Sequence, residues 1–212
     1  MAQEGLWRIL LMNEAEVRYF SGFDTSFLQS PPRPWFLFVP AEDGPVTVIP
    51  EIGAALMRST WIGDICTWIA PNSKDDGTSL LHDLFTPLAK RQSSLGVMKG
   101  HGTGFRMPLG EWKHLMSRLP ELKFKDAIKI VQAARMVKSE AENAKLKHIC
   151  GIGSAIFARR PEVIMPDMPL QELFRAFRTK ALRQGADNVP YVFGREAEGG
   201  IAISFLCSRC AS

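Results

Sequence analysis

Cys207 and Cys210 have the most recognisable chemical spacing in the sequence. A lone CxxC needs either two further ligands to hold zinc or a helix N-terminus to activate a thiolate. The flanking residues supply neither, so the pair reads as incidental thiols in a tail. Gly100, Gly102 and Gly104, within GHGTGF, resemble a phosphate loop superficially. The Walker lysine is missing and the dinucleotide spacing fails, which leaves an ordinary strand-to-helix loop with His101 in solvent. His82 beside Asp83, His114 and His148 offer acid–base components, but no second group stands at a defined spacing from any of them. No histidine follows His148, no carboxylate follows Glu198, and no nucleophile spacing stands out. The residues therefore nominate no catalytic, cofactor-binding or metal-binding position in this chain.

Composition narrows the function classes. Of 212 residues, 46% are hydrophobic and 23% charged, the balance of a globular chain that can bury a core. The net charge of +4 is small, and the lysines and arginines are scattered without interleaved aromatics, which argues against nucleic-acid binding. Apolar runs such as Trp35 to Pro40 and Ile201 to Leu206 are far too short to span a bilayer. The first residues carry no secretory signal pattern, and a cytoplasmic protein is the expectation. Cys66, Cys150, Cys207 and Cys210 are too few and too uneven for a disulfide framework.

The elements that must position any site come next. Leu6 to Met12 reads as a buried strand, and Val17 to Phe23 as an aromatic segment ending at a glycine turn. SPPRP over Ser30 to Pro34 is a loop. Trp35 to Val39 and Val46 to Ile49 flank Asp43-Gly44 and form a hairpin. Glu51 to Thr60 reads as a short helix and Asp64 to Ile69 as a strand. Thr78 to Arg91 reads as a helix broken or kinked at Pro87. Leu95 to Met98 is a strand, Met107 to Leu119 an amphipathic helix stopped by Pro120, and Phe124 to Ile130 a last strand. Residues 1–133 thus form a compact mixed α/β domain.

A different organisation starts at Arg135. Ser139 and Glu142 have capping-box spacing, which places a helix start near Glu140. Ala141, Ala144, His148, Ile152, Ala155 and Ile156 give it one weakly apolar stripe, whose small residues suggest close packing on a flat partner. After a proline-punctuated connection, Asp167 can cap a second helix with the face Leu170, Leu173, Phe174, Phe177 and Ala181, closed by Gly185. Val189 to Phe193 is a candidate strand. GREAEGG reads as polar and flexible, and IAISFLCSRCAS shows no turn logic.

In their order along the chain, LLMNEAEVRYFSGFDT, WFLFVPAEDGPVTVIP, RMVKSEAENAKLKHICGIGSAIFA and GADNVPYVFG resemble the creatinase/prolidase family of pita-bread hydrolases, over roughly residues 6–198. The resemblance implies an N-terminal α/β domain followed by the first helices of an incomplete catalytic domain over 134–198 and an atypical tail over 199–212. The family marks the passage between its domains with Arg-x-x-Lys-Ser/Thr-x-x-Glu, matched here by Arg135, Lys138, Ser139 and Glu142 as scaffold. Its two divalent metal ions, manganese, cobalt or zinc, sit on two aspartates, a histidine and two glutamates that lie further along than this sequence extends. Creatinase-like members work without metal.

The resemblance also implies a parent that is an Xaa-Pro aminopeptidase or dipeptidase, hydrolysing an amide or C–N bond with a metal-activated water, and a homodimer. A peptide or small amide substrate is then expected only for a full-length relative, and this chain is expected to be inactive alone. The family's first helix is missing before Leu6, and the change in composition near Gly200 fits a frameshift or premature stop. A non-catalytic dimerisation or peptide-binding module is the alternative reading, and an independent α/β enzyme a third. Half a sheet with an open edge and a bare helix face predicts poor solubility unless a partner covers them.

Overall fold

The computed structural model describes residues 6, 8–30, 33–165, 168–197 and 200–208; for 195–197 and 200–208 only the backbone is described. The chain divides into two compact units, Met1–Met136 and Val137–Ser212.

In the first unit, strands β1 (Arg8–Leu11), β2 (Phe36–Pro40), β3 (Val46–Pro50), β4 (Asp64–Trp68), β5 (Ser94–Val97) and β6 (Lys123–Asp126) form a mixed sheet in the order β4-β3-β2-β1-β5-β6. β2 runs antiparallel to both neighbours, and the other pairs are parallel. Strand periodicity sends alternate side chains to opposite faces, so each strand feeds two cores. Leu10, Phe36, Phe38, Val48, Leu95 and Val97 meet Leu81, Phe85 and Leu88 of α3 (Thr78–Lys90) and Leu115 of α4 (Leu109–Arg118). Ile9, Leu11, Leu37 and Ile49 meet Val17 of α1 (Glu14–Ser21) and Met57 of the short α2 (Ala54–Met57), together with Val131 of α5 (Ile128–Met136). An α/β layered sheet follows from near-continuous apolar strands covered on both faces.

The aromatic segment Val17 to Phe23 ends at a glycine turn as expected, Gly22 in the left-handed region (φ 76°), and the residues before it form helix α1, with Glu14 and Glu16 in its first turn. Two sequence expectations in this unit are corrected. The expected strand over Phe124 to Ile130 stops at Asp126, whose Oδ1 accepts from the Ile128 N–H at 3.1 Å and starts α5. Helix α3 also runs unbroken through Pro87, which removes one backbone donor near its C-terminal end without stopping it.

The second unit holds α6 (Glu140–Ala158), α7 (Leu170–Arg183) and an antiparallel hairpin of β7 (Asn188–Ala197) and β8 (Gly200–Ser208). The expected capping box is present: the Ser139 hydroxyl accepts from the Glu142 N–H at 3.2 Å, and the Glu142 carboxylate accepts from the Ser139 N–H at 2.8 Å. Ser139→Ala is therefore expected to cost about 1 kcal/mol of helix stability and to speed amide exchange in the first turn of α6; unchanged exchange there contradicts the cap's importance. The expected stripe is buried only at its two isoleucines. Ile152 and Ile156 are buried, but Ala141, Ala144, His148 and Ala155 are exposed.

Leu173, Phe177 and Ala181 of α7 pack as expected with Ile152, Ile156 and Val192. Asp167 lies outside the described residues, and Pro169 occupies the cap position. At the other end Gly185 (φ 94°) and Ala186 donate to Leu182 and Ala181, the paired bonds of a Schellman ending. The candidate strand Val189 to Phe193 lies in β7, and the described parts of the segments read as flexible and patternless, 194–197 and 200–208, pair with each other and with it; the register shifts between Asn188 and Tyr191, where Pro190 has no N–H to give the ladder.

Candidate functional site

The glycine loop between β5 and α4 is built for a turn. Gly102 has φ 77°, a conformation that a side chain would strain, and a Cβ on Gly100 would lie 2.7 Å from Asp126 Oδ2. Thr103 Oγ1 closes the loop by donating to the carbonyls of Gly100 (2.6 Å) and Met98 (3.2 Å). Helix α4 starts only at Leu109, behind Pro108, so the glycines do not form its first turn as they would in a phosphate loop. His101 is exposed, as expected.

The other expected components stay apart. His82 Nδ1 and Asp83 Oδ1 approach within 3.3 Å, but they are adjacent in sequence and the Asp83 side chain is 79% exposed. His114 and His148 are exposed on α4 and α6. Burial and the nearby Asp64 raise the Cys66 thiol above its ordinary pKa, which makes it a poor nucleophile. Cys150 is exposed, the Cys207 side chain is not described, and Cys210 lies outside the described residues.

Two shifted carboxyls stand before α3. For Asp75, partial burial is outweighed by hydrogen bonds from the Ser79 side chain and from the backbone of Ser79, Thr78 and Gly77, which hold its pKa below the usual range. Asp75 thus acts as an anchor for the helix start. Asp76 is raised by burial and by the charges of Glu111 and Asp75, against the pull of Arg33. Among the described residues, no three His, Cys, Asp or Glu side chains gather where they could hold a metal ion. Hard divalent cations need several converging oxygen ligands. The described residues do not fit the dinuclear site that the family resemblance implies.

The linker motif is split between structural tasks. Arg135, at the end of α5, reaches Glu16 Oε1 of α1 at 3.4 Å and lies 5.5 Å from the centre of the Tyr19 ring. Ser139 and Glu142 cap α6. The passage between the compact units is thus tied at both ends by residues of one short motif.

A feature that the sequence reading passed over is an open groove of about 410 Å³ at the C-terminal ends of β5 and β6. Its walls include Phe105, Leu109, Trp112 and Phe124, with Lys99 at the rim. Trp112 meets Phe105 and Phe124 edge to face, with ring centres 4.6 and 5.0 Å apart. Leu109, Trp112 and Met116 have the spacing of a core stripe, so sequence alone could not show that Leu109 would remain 63% exposed.

Residues 1–137 match the family model of the Creatinase/Prolidase N-terminal domain. No curated protein matches the chain. Among solved structures, it is similar to the X-Pro aminopeptidase from Thermotoga maritima MSB8, with 18% identity and a TM-score of 0.72 over 96% of this chain and 59% of that one. It is similar to a recombinant prolidase from Thermococcus sibiricus at 15% identity, with a TM-score of 0.78 over 98% of this chain and 58% of that one. The Xaa-Pro dipeptidase from Bacillus anthracis is 14% identical, with a TM-score of 0.69 over 97% of this chain and 54% of its own. Identities this low establish the fold alone. The chain spans little more than half the length of these structures. Among the described residues, no helix is long and apolar enough to cross a membrane.

Proposed function

Because this chain belongs to the creatinase/prolidase family through its N-terminal domain, we propose that it is the non-catalytic N-terminal part of an Xaa-Pro peptidase-like hydrolase, joined by the Arg135–Glu142 linker to the opening helices of a pita-bread domain. On this reading, full-length relatives hydrolyse an amide or C–N bond with a metal-activated water held by residues further along their chains, and this chain alone does not. The domain plan is an N-terminal domain over 1–133, linker and first helices over 134–198, and a terminal segment over 199–212. The protein works in the cytoplasm as a homodimer, without nucleic acid or membrane, and peptide or small amide substrates belong to the full-length form.

The observation that supports this reading is the coincidence of the Ser139–Glu142 capping box with the boundary between the compact units after Met136. A linker motif at a structural boundary is the arrangement that the family resemblance implies. Exposed apolar residues of the first unit, Ile52, Leu56 and Trp61, support a subunit contact. No step of hydrolysis is assigned to the residues described. Equilibrium dialysis of the purified chain against manganese tests the assignment: no stoichiometric uptake is expected, and one or two tightly held ions per chain overturn it.

A further inference from the structure

Strand β6 is the last strand of its sheet, and among the described residues nothing pairs with its outer side. An unpaired strand edge is a template for another chain, and proteins usually blunt such an edge with charge, lysine above all. Here Lys123 and Lys125 are exposed on a four-residue edge strand, KFKD, which ends at the exposed Asp126, and Lys129 is exposed in the first turn of α5. Lysines at an edge repel basic or like-charged strands and invite acidic ones.

The groove adjoins the same strand. Phe124 lies between the two lysines in sequence, so strand alternation directs its ring to the opposite face, where it lines the groove with Trp112, Phe105 and Leu109. The open edge of β6 therefore has the lysines on one face of the sheet and the aromatic recess on the other, so an added strand would present alternate side chains to each. Lys99 stands at the rim and donates from Nζ to the Phe124 carbonyl at 3.4 Å, which keeps a further cation at the mouth of the recess. Extended peptides dock in this way, with main-chain bonds to a sheet edge and alternate side chains in pockets.

We propose that β6 and this groove dock an extended acidic segment of a partner protein, anchored by one apolar side chain between Leu109, Trp112 and Phe124. The site lies wholly within the first unit and is independent of the hydrolytic reading, so either can fail without the other. The groove supplies affinity through an apolar anchor, and the lysines select the charge of the flanking residues.

The test is fluorescence anisotropy on the purified chain with a fluorescein-labelled peptide of alternating Glu and Leu, about eight residues long. Two further probes carry Lys in place of Glu, or Ser in place of Leu. Saturable binding of the Glu/Leu peptide is expected, with binding about tenfold weaker for either altered peptide. Binding should also weaken at about 1 M salt, where the screening length is about 3 Å. Leu109→Glu, at a side chain already in solvent, and Lys125→Glu should each weaken the Glu/Leu peptide about tenfold while leaving the circular dichroism unchanged. Absence of binding, equal binding of all three peptides, or full affinity in both variants overturns the proposal.

Discussion

Replacing Trp35 with alanine is expected to destabilise the first unit by about 3–5 kcal/mol, a large part of the roughly 5–15 kcal/mol that holds a typical domain together. Trp35 is 2% exposed and sits 5.3 Å, ring centre to ring centre, from Phe23. The backbone beneath it is shaped for the indole: a Cβ added to Gly53 would lie 2.3 Å from Trp35 Cζ3. Close packing of this kind leaves little room for collapse, so the cavity penalty adds to the lost burial. Among the described residues nothing accepts the indole N–H, so it carries a desolvation cost that a phenyl ring does not. Trp35→Phe should therefore cost less, about 1–2 kcal/mol. Urea denaturation followed by far-ultraviolet circular dichroism measures both. Equal losses for the two variants, or a loss below about 1 kcal/mol for Trp35→Ala, contradict this account of the core.

What could be read from the sequence follows from how local each signal is. The β2–β3 hairpin was legible because Asp43-Gly44 sits between two apolar strands, and the start of α6 because a capping box is complete within four residues. The Gly185 ending of α7 was legible for the same reason: helix-closing geometry is written in neighbouring residues. The start of α5 was misread because Ile128 and Ile130 are strand-forming types whose helical state is settled by sheet packing, and the same holds for Val17, Tyr19 and Phe20, which left α1 without an assigned element. Most of the α6 stripe failed because small residues at helical spacing do not state whether anything covers them. The hairpin after Asn188 was missed because its pairing is visible only when both strands are seen together. The aromatic groove was invisible for a related reason: Phe105, Leu109, Trp112 and Phe124 come from three segments, and their exposure is a property of the assembled sheet edge. The absence of a nominated catalytic set rested on the resemblance more than on spacing, since isolated histidines such as His82 and His148 cannot be dismissed from sequence position alone.

The second large effect expected is a complete one. Hydrolysis of an Xaa-Pro bond by metal-activated water needs a cation held by several oxygen or nitrogen ligands, together with a water positioned against the carbonyl. The described residues place His82 beside an exposed Asp83, leave His114 and His148 in solvent, and use Asp75 to secure a helix start. None of these arrangements lowers the pKa of a bound water or holds a peptide against one. On the proposed reading, the acceleration that a metallopeptidase supplies is expected to be absent from this chain.

The decisive measurement is Xaa-Pro dipeptide hydrolysis by the purified 212-residue chain, with manganese, cobalt and zinc supplied in turn. The central proposal, that this chain joins a family N-terminal domain to the opening helices of a pita-bread domain and has no catalytic centre of its own, requires no release of proline above the rate in buffer with any of the three metals. Metal-dependent turnover that co-purifies with the chain and is removed by a chelator contradicts the claim directly.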